Sequence, residues 1–259
     1  SKARITLLED CAMSKTLRWW EWGACIGIIV CLSLLIVLPM LKRARTQSGM
    51  RSCQSNLKQL ALAFKMYANE SPGERWPPRS PIPGNWGVDV HKMYPEYVYD
   101  LNLFICPSSP RATVDTFTLR RNREHPGEQI GQMHPDCVSS EFYIYLGHAV
   151  NHDEVALALY QASREVPPEA LGDLEIQVEI PGFDLMRAGA SGTPVMWERI
   201  PERDKDFPHG SRGINVLHMD GSAIFVEYDP YNAATNFPAT YISAQTFCRD
   251  APRLSGDCY

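Results

Sequence analysis

Seven histidines and eight cysteines in a 259-residue chain are the residues that could do chemistry here, and their spacing decides which kind. His209, His218 and Asp220 lie close together, and a strand through 213–219 would put His218 and Asp220 on one face with His209 in the preceding loop. His148, His152, Asp153 and Glu154 form a second cluster. Both invite a metal, yet each has a plainer use. Asp220-Gly221 is turn chemistry, His209 has a loop to hydrogen-bond across, and Asp153 and Glu154 complement the dipole of a helix that starts with them. The expectation is therefore no resident cofactor and no metal.

Catalytic signatures are absent from the sequence. It contains no GxSxG, no HExxH, no phosphate-binding glycine loop and no CxxC. Cys106, followed by Pro107, has no histidine partner that the sequence identifies. The expectation is a protein that is not an enzyme. A formal net charge of -5 gives no reason to expect a nucleic-acid partner.

The elements that must position these residues start with Trp22 to Met40, nineteen residues without a charge. About 20 apolar residues are needed to cross a hydrocarbon core as helix, so this run reads as a single membrane span. Trp19, Trp20 and Trp22 form an interfacial aromatic belt at its start. Glu21 sits among them, where a carboxylate must be paired or reach the interface, and Arg18 is within reach. Cations flank both ends of the run, so charge counting leaves its orientation open. Cys25 and Cys31 fall inside it as small lipid-tolerant side chains.

No loop separates the span from a second, two-faced stretch. Met50, Leu57, Leu60, Ala61, Phe64 and Tyr67 recur at helical spacing, opposite Lys58, Gln59, Lys65 and Glu70. Pro72, Gly73, Pro77 and Pro78 then forbid helix. Four regions follow: 1–21, a leader-like segment; 22–40, the membrane half of a long helix; 41–70, its amphipathic half; and 71–259, a globular head. Within the head the sequence predicts a turn or short helix at 94–97, strands at 103–106, 142–150 and 194–200, a surface insertion at 111–132 and a helix at 153–164. A hairpin follows, Gly213 to Met219 and Ala223 to Tyr228 about Asp220-Gly221. The fold class is α+β. Cys248 and Cys258 could clip the tail with a disulfide in an oxidising compartment, or remain thiols.

The segment Cys53-Gln54-Ser55-Asn56-Leu57-Lys58-Gln59-Leu60-Ala61-Leu62-Ala63, then Cys106-Pro107-Ser108, then His209, Asn215-Val216-Leu217 and Asp220-Gly221 occur in this order behind the span. Together they resemble the type IV pilin-like and type II secretion pseudopilin-like proteins that carry a prepilin-type H-X9-DG C-terminal module. The motif positions are Cys53, Asn56, Leu57, Cys106, Pro107, His209, Asn215, Asp220 and Gly221. The resemblance implies a pilin-like fold, with a long N-terminal helix packed on an antiparallel β-sheet. It implies a bacterial inner-membrane subunit with its head periplasmic or extracellular, and partners that are the membrane and like subunits in a homo-oligomer or filament. Glu21 and Pro39 fall near the family's spacing for the assembly glutamate and the helix proline. An outward head also favours the Cys248–Cys258 bridge. The resemblance keeps calcium open as a cofactor, because pseudopilins of the major type can bind it in a C-terminal loop, where Asp229 or Asp250 would serve; the sequence fixes no full set of oxygens there.

Two departures stand out. Thr16 occupies the place of the processing glycine, which argues that the leader is retained. Ten residues rather than nine separate His209 from Asp220, an insertion that the loop 210–213 can absorb. The readings that remain beside assembly are a membrane-tethered periplasmic binding module that does not polymerise, and a metal-dependent periplasmic enzyme using the histidine clusters.

Overall fold

A computed structural model describes residues 2–124, 126–165, 192–209, 212–232, 236–249 and 257–258. The chain divides into two compact units, Ser1–Gln47 and Ser48–Tyr259. A single helix, α1 (Lys2–Glu70), forms the described residues of the first and opens the second.

In the first unit α1 is long and apolar enough to cross a membrane, and no part of its most apolar window is buried. Trp19, Trp20 and Trp22 are exposed, as are Ile26, Leu32, Leu35 and Met40. The side chain of Glu21 lies outside the described residues. Pro39 stays within the helix, although its ring removes one backbone donor.

The second unit begins with the amphipathic half of α1. Cys53, Leu57, Leu60, Ala61, Phe64 and Ala68 are buried, whereas Lys58, Gln59 and Glu70 face solvent. This is the stripe that the sequence spacing predicts, with Tyr67 packed half-buried at its end. Ser71 closes the helix, its N–H donating to Tyr67 O at 3.0 Å and its hydroxyl to Arg75 O at 2.6 Å. Pro72 and then Gly73, at φ +76°, carry the chain away.

Four antiparallel strands form one sheet in chain order: β1 (Tyr143–Tyr145), β2 (Pro194–Glu198), β3 (Gly213–His218) and β4 (Ala223–Glu227). The first three strands are buried throughout. Side chains alternate between two cores, as a pleated strand requires. Tyr143, Tyr145, Met196 and Leu217 pack with the stripe of α1. Ile144, Trp197, Ile214 and Val216 face the opposite way, toward α2 (Asp153–Glu165), α3 (Tyr241–Thr246) and Trp86. An α+β fold results, with an antiparallel sheet covered on both faces.

Several expectations change in detail. The strand expected at 103–106 is instead a 3-10 turn, Leu101–Phe104, begun by the Asp100 carboxylate accepting from Asn102 N at 2.9 Å. The strand at 142–150 is cut to Tyr143–Tyr145, because Gly147 adopts φ +71°. The expected surface insertion at 111–132 is anchored at its centre. Phe117 and Leu119 are buried, Phe117 stacks edge-on to Phe142 at 5.6 Å, and Leu119 bridges to Cys258.

Phe64 is fully buried, its ring 5.2 Å from Tyr145 and 6.0 Å from Trp76, whereas Leu62 on the same helix is exposed. In the detergent-solubilised chain, Phe64→Ala should lower unfolding free energy by about 3–5 kcal/mol, and Leu62→Ala by no more than about 0.5 kcal/mol. Denaturant titration of both checks which helix face the head covers; equal losses would contradict it.

Candidate functional site

The motif residues that are scattered along the sequence meet in the interior of the second unit. Cys53 lies on the buried stripe of α1, and Asn56 sits one turn further on. Cys53 forms a disulfide with Cys106, while Asn56 Nδ2 donates to Ile105 O at 3.0 Å. Two residues one helical turn apart thus grip the same two-residue segment, one covalently and one by hydrogen bond. Pro107 then starts a turn closed by Ser109 N donating to Cys106 O at 3.0 Å.

The sheet brings the other half. Trp197 pairs with Val216 across β2 and β3, so the same register sets Glu198 opposite Asn215. Their neighbours Trp197 and Val216 face α2 and α3, which turns Glu198 and Asn215 toward α1. Glu198 is a carboxylate in a hydrophobic interior, and donors surround it. Asn215 N reaches Oε2 at 2.7 Å, Asn215 Nδ2 reaches Oε1 at 3.1 Å, and His209 Nε2 lies 2.9 Å from both oxygens. The His209 and Glu198 side chains are 0% and 2% exposed. Asn215 is held in turn by α1, its Oδ1 accepting from Gln54 Nε2 at 3.0 Å and its Nδ2 lying 3.4 Å from Met50 O. Cys106 Sγ completes the cluster, 3.3 Å from Glu198 Oε1. As half of a disulfide it carries no hydrogen, so this is a contact and not a donated bond.

Among the described residues, Cys53, Cys106, Glu198 and His209 place one potential ligand atom each within 4.8 Å of the others. His209 belongs to this group, and His218 and Asp220 do not. His209 reaches the neighbouring strand, where β2 supplies a buried carboxylate. Asp220 accepts from Ser222 N at 2.7 Å, Gly221 holds φ +93°, and Lys65 Nζ donates to Asp220 O at 2.7 Å. The Asp-Gly pair makes the expected turn and is tied back to α1. His148, His152, Asp153 and Glu154 make no metal-sized group among the described residues. Asp153 Oδ1 instead accepts from the Thr240 hydroxyl at 2.7 Å, and burial pushes its carboxyl above the ordinary range. Asp229 caps its own turn, accepting from Tyr231 N at 2.9 Å. Asp250 lies outside the described residues.

The expected Cys248–Cys258 bridge is also corrected. Cys258 is joined to Cys137, and Cys248 is a buried thiol whose sulfur accepts from Ile200 N at 3.3 Å. Cys248 follows α3 into the core beside Phe247, which directs it away from the tail. Burial pushes its thiol up to about 11. Glu198 is the residue that sequence reasoning missed. The signal was there: a glutamate at an inward position of an otherwise apolar strand.

No protein-family model, curated protein or solved structure matches this chain.

Two predictions follow from the geometry. Proteolytic peptide mapping without reductant should recover Cys53 linked to Cys106 and Cys137 linked to Cys258, with Cys248 alkylated only after unfolding; a Cys248–Cys258 peptide would contradict the pairing. His218 is buried, and that burial lowers its pKa from 6.5, with Asp220 opposing. A depressed value means that the unfolded chain takes the proton first, so stability present above about pH 6.5 is lost as pH falls through the folded value. His218→Asn should therefore flatten the fall in melting temperature between about pH 7 and pH 5, and parallel wild-type and variant curves would refute it.

Proposed function

We propose that this protein is a membrane-anchored assembly subunit of pilin-like type, a pseudopilin-like component of a secretion or type IV filament system in a bacterial inner membrane, with its head outside. The observation that carries the reading is the division of labour along α1. One helix is unburied and apolar over a membrane's thickness, then continues into a stripe buried by an antiparallel head. The first half is available to lipid and to the same half of neighbouring subunits. The second half fixes a head whose outer surface can vary without disturbing the helix. Lateral helix packing would join subunits, and the head would present the contact surface to partners.

A second reading, a tethered binding module that does not polymerise, has one observation in its favour. A groove of about 770 Å³ opens beside the end of α1, lined by Tyr67, Arg75, Trp76, Arg79, Asp89 and His148. Aromatic faces and convergent polar groups are what a ligand cleft offers.

Cys25 and Cys31 are exposed on the apolar half of α1, and they report lateral packing without any engineering. Mild oxidation of native membranes should produce disulfide-linked multimers on non-reducing gels, lost in the Cys25→Ser/Cys31→Ser double variant. A chain that stays monomeric under the same oxidation, at native and at raised expression, would overturn assembly and leave the binding module.

A further inference from the structure

His209 Nε2 is the point at which the buried cluster is most crowded. His209 Nε2 lies 2.9 Å from both oxygens of Glu198 and also 2.9 Å from Asn215 Nδ2. If Nε2 carries a proton it can donate to the carboxylate, but it cannot accept from the amide. If it is bare it accepts from the amide, but it then faces two carboxylate oxygens lone pair to lone pair. Turning the Asn215 amide over sets Oδ1 against Glu198 Oε1 and an NH2 group against the Gln54 NH2 that now donates to it. His209 Nδ1 is buried and has no hydrogen-bond partner among the described residues. The sulfur of Cys106 adds a fourth electron-rich atom against Glu198 Oε1. One sulfur from each of Cys53 and Cys106, one His209 nitrogen and one Glu198 oxygen are thus gathered within 4.8 Å of one another in the interior.

We propose that, when the Cys53–Cys106 disulfide is reduced, Cys53, Cys106, Glu198 and His209 bind one zinc-class divalent cation. Reduction is a two-electron step: a dithiol reductant gives two electrons and two protons, the S–S bond breaks, two thiols form, and the reductant closes its own disulfide. Cation binding then releases both thiol protons, because thiolate is the ligand form. The donor set is two sulfurs, one imidazole nitrogen and one carboxylate oxygen, which suits zinc and its chemical neighbours and not calcium, a cation of oxygen sites. In a tetrahedral zinc site neighbouring ligand atoms stand about 3.3–3.8 Å apart, from metal–ligand lengths of about 2.0–2.3 Å. The spread of the four atoms here, within 4.8 Å, needs only side-chain adjustment once the sulfurs part.

The surroundings fit the outer part of such a site. Asn215 N and Nδ2 already donate to the two oxygens of Glu198, as outer partners orient a ligating carboxylate. A cleft lined by Cys106, Glu198, Arg111, Glu141 and Asp206 reaches the cluster from the surface and gives a cation an entry path. The disulfide and the metal use the same sulfurs, so they exclude each other. Oxidised, the pair is a cross-link between α1 and the segment after Phe104. Reduced and metallated, the same contact persists through the ion. This site does not depend on whether the chain assembles.

Co2+ is the probe for the full chain in detergent, reduced with a phosphine, in a Cys137→Ser/Cys258→Ser background that removes the other disulfide. The expected result is one Co2+ per chain, with thiolate-to-cobalt charge-transfer absorption and tetrahedral visible bands. Zn2+ should displace it stoichiometrically, the oxidised sample should show neither signal, and His209→Asn should lose the tetrahedral spectrum. Absence of the bands in reduced chain with unchanged circular dichroism overturns the proposal, as does their persistence in Cys53→Ser/Cys106→Ser. A second measurement covers failure of the background variant to fold. In reduced wild-type chain, Zn2+ should block alkylation of Cys53 and Cys106 and leave Cys137 and Cys258 reactive; equal labelling with and without Zn2+ rejects the site.

Discussion

A carboxylate shut away from water persists in a protein interior only if donors surround it, and the satisfaction of Glu198 is the constraint on which the second unit turns. Leaving such a group unpaired costs several kcal/mol. Its partners come from Asn215 on the neighbouring strand and from His209 in the loop before that strand. Asn215 is itself held by Gln54 and Met50 on α1. To satisfy one carboxylate, the sheet must be in register, the loop before β3 must fold inward, and the helix must present the right turn. A slip of one residue in β3 would turn Asn215 to the opposite face and leave Glu198 facing Ile214 or Val216. Apolar packing supplies most of the cohesion here, but it tolerates small shifts that this network does not.

The disulfides Cys53–Cys106 and Cys137–Cys258 extend the same logic to parts of the chain with little regular structure. The described residues of 71–142 form short 3-10 turns and no strand of the sheet. They are fixed by Cys53–Cys106 at one place, by Cys137–Cys258 at another, and by side chains such as Asn85, whose Oδ1 accepts from Ser140 N at 2.9 Å. A head rich in proline, whose described strands are short, gains from cross-links because they reduce the freedom of the unfolded chain.

Much of this was legible in the sequence wherever the signal is local and periodic. The stripe Leu57, Leu60, Ala61, Phe64 declares one helix face, α2 starts at the acidic pair that marks it, and the hairpin stands around Asp220-Gly221 with Gly221 in the left-handed region. Long-range pairing was not legible. Cysteine count and order cannot decide that Cys258 meets Cys137 and not Cys248, because the sheet and α3 decide where each thiol lands. Nor does sequence separation show that His209 meets Glu198. The strand expected at 103–106 failed for a related reason: the apolar run is real, but Asp100 caps a 3-10 turn there, and the buried residues Leu101 and Phe104 face the core without pairing to a strand. The motif residues themselves were named from the sequence; that Cys53, Cys106, His209 and Asn215 form one site was not.

The central claim is that Glu198 and Asn215 act as one unit binding sheet to helix, and a double-mutant cycle measures it directly. Unfolding free energies of the detergent-solubilised wild type, Glu198→Ala, Asn215→Ala and the double variant give a coupling energy between the two side chains. The account predicts a coupling in the upper part of the range of about 0.5–3 kcal/mol seen for groups in one network. Additivity to within about 0.5 kcal/mol, each loss independent of the other, would contradict it.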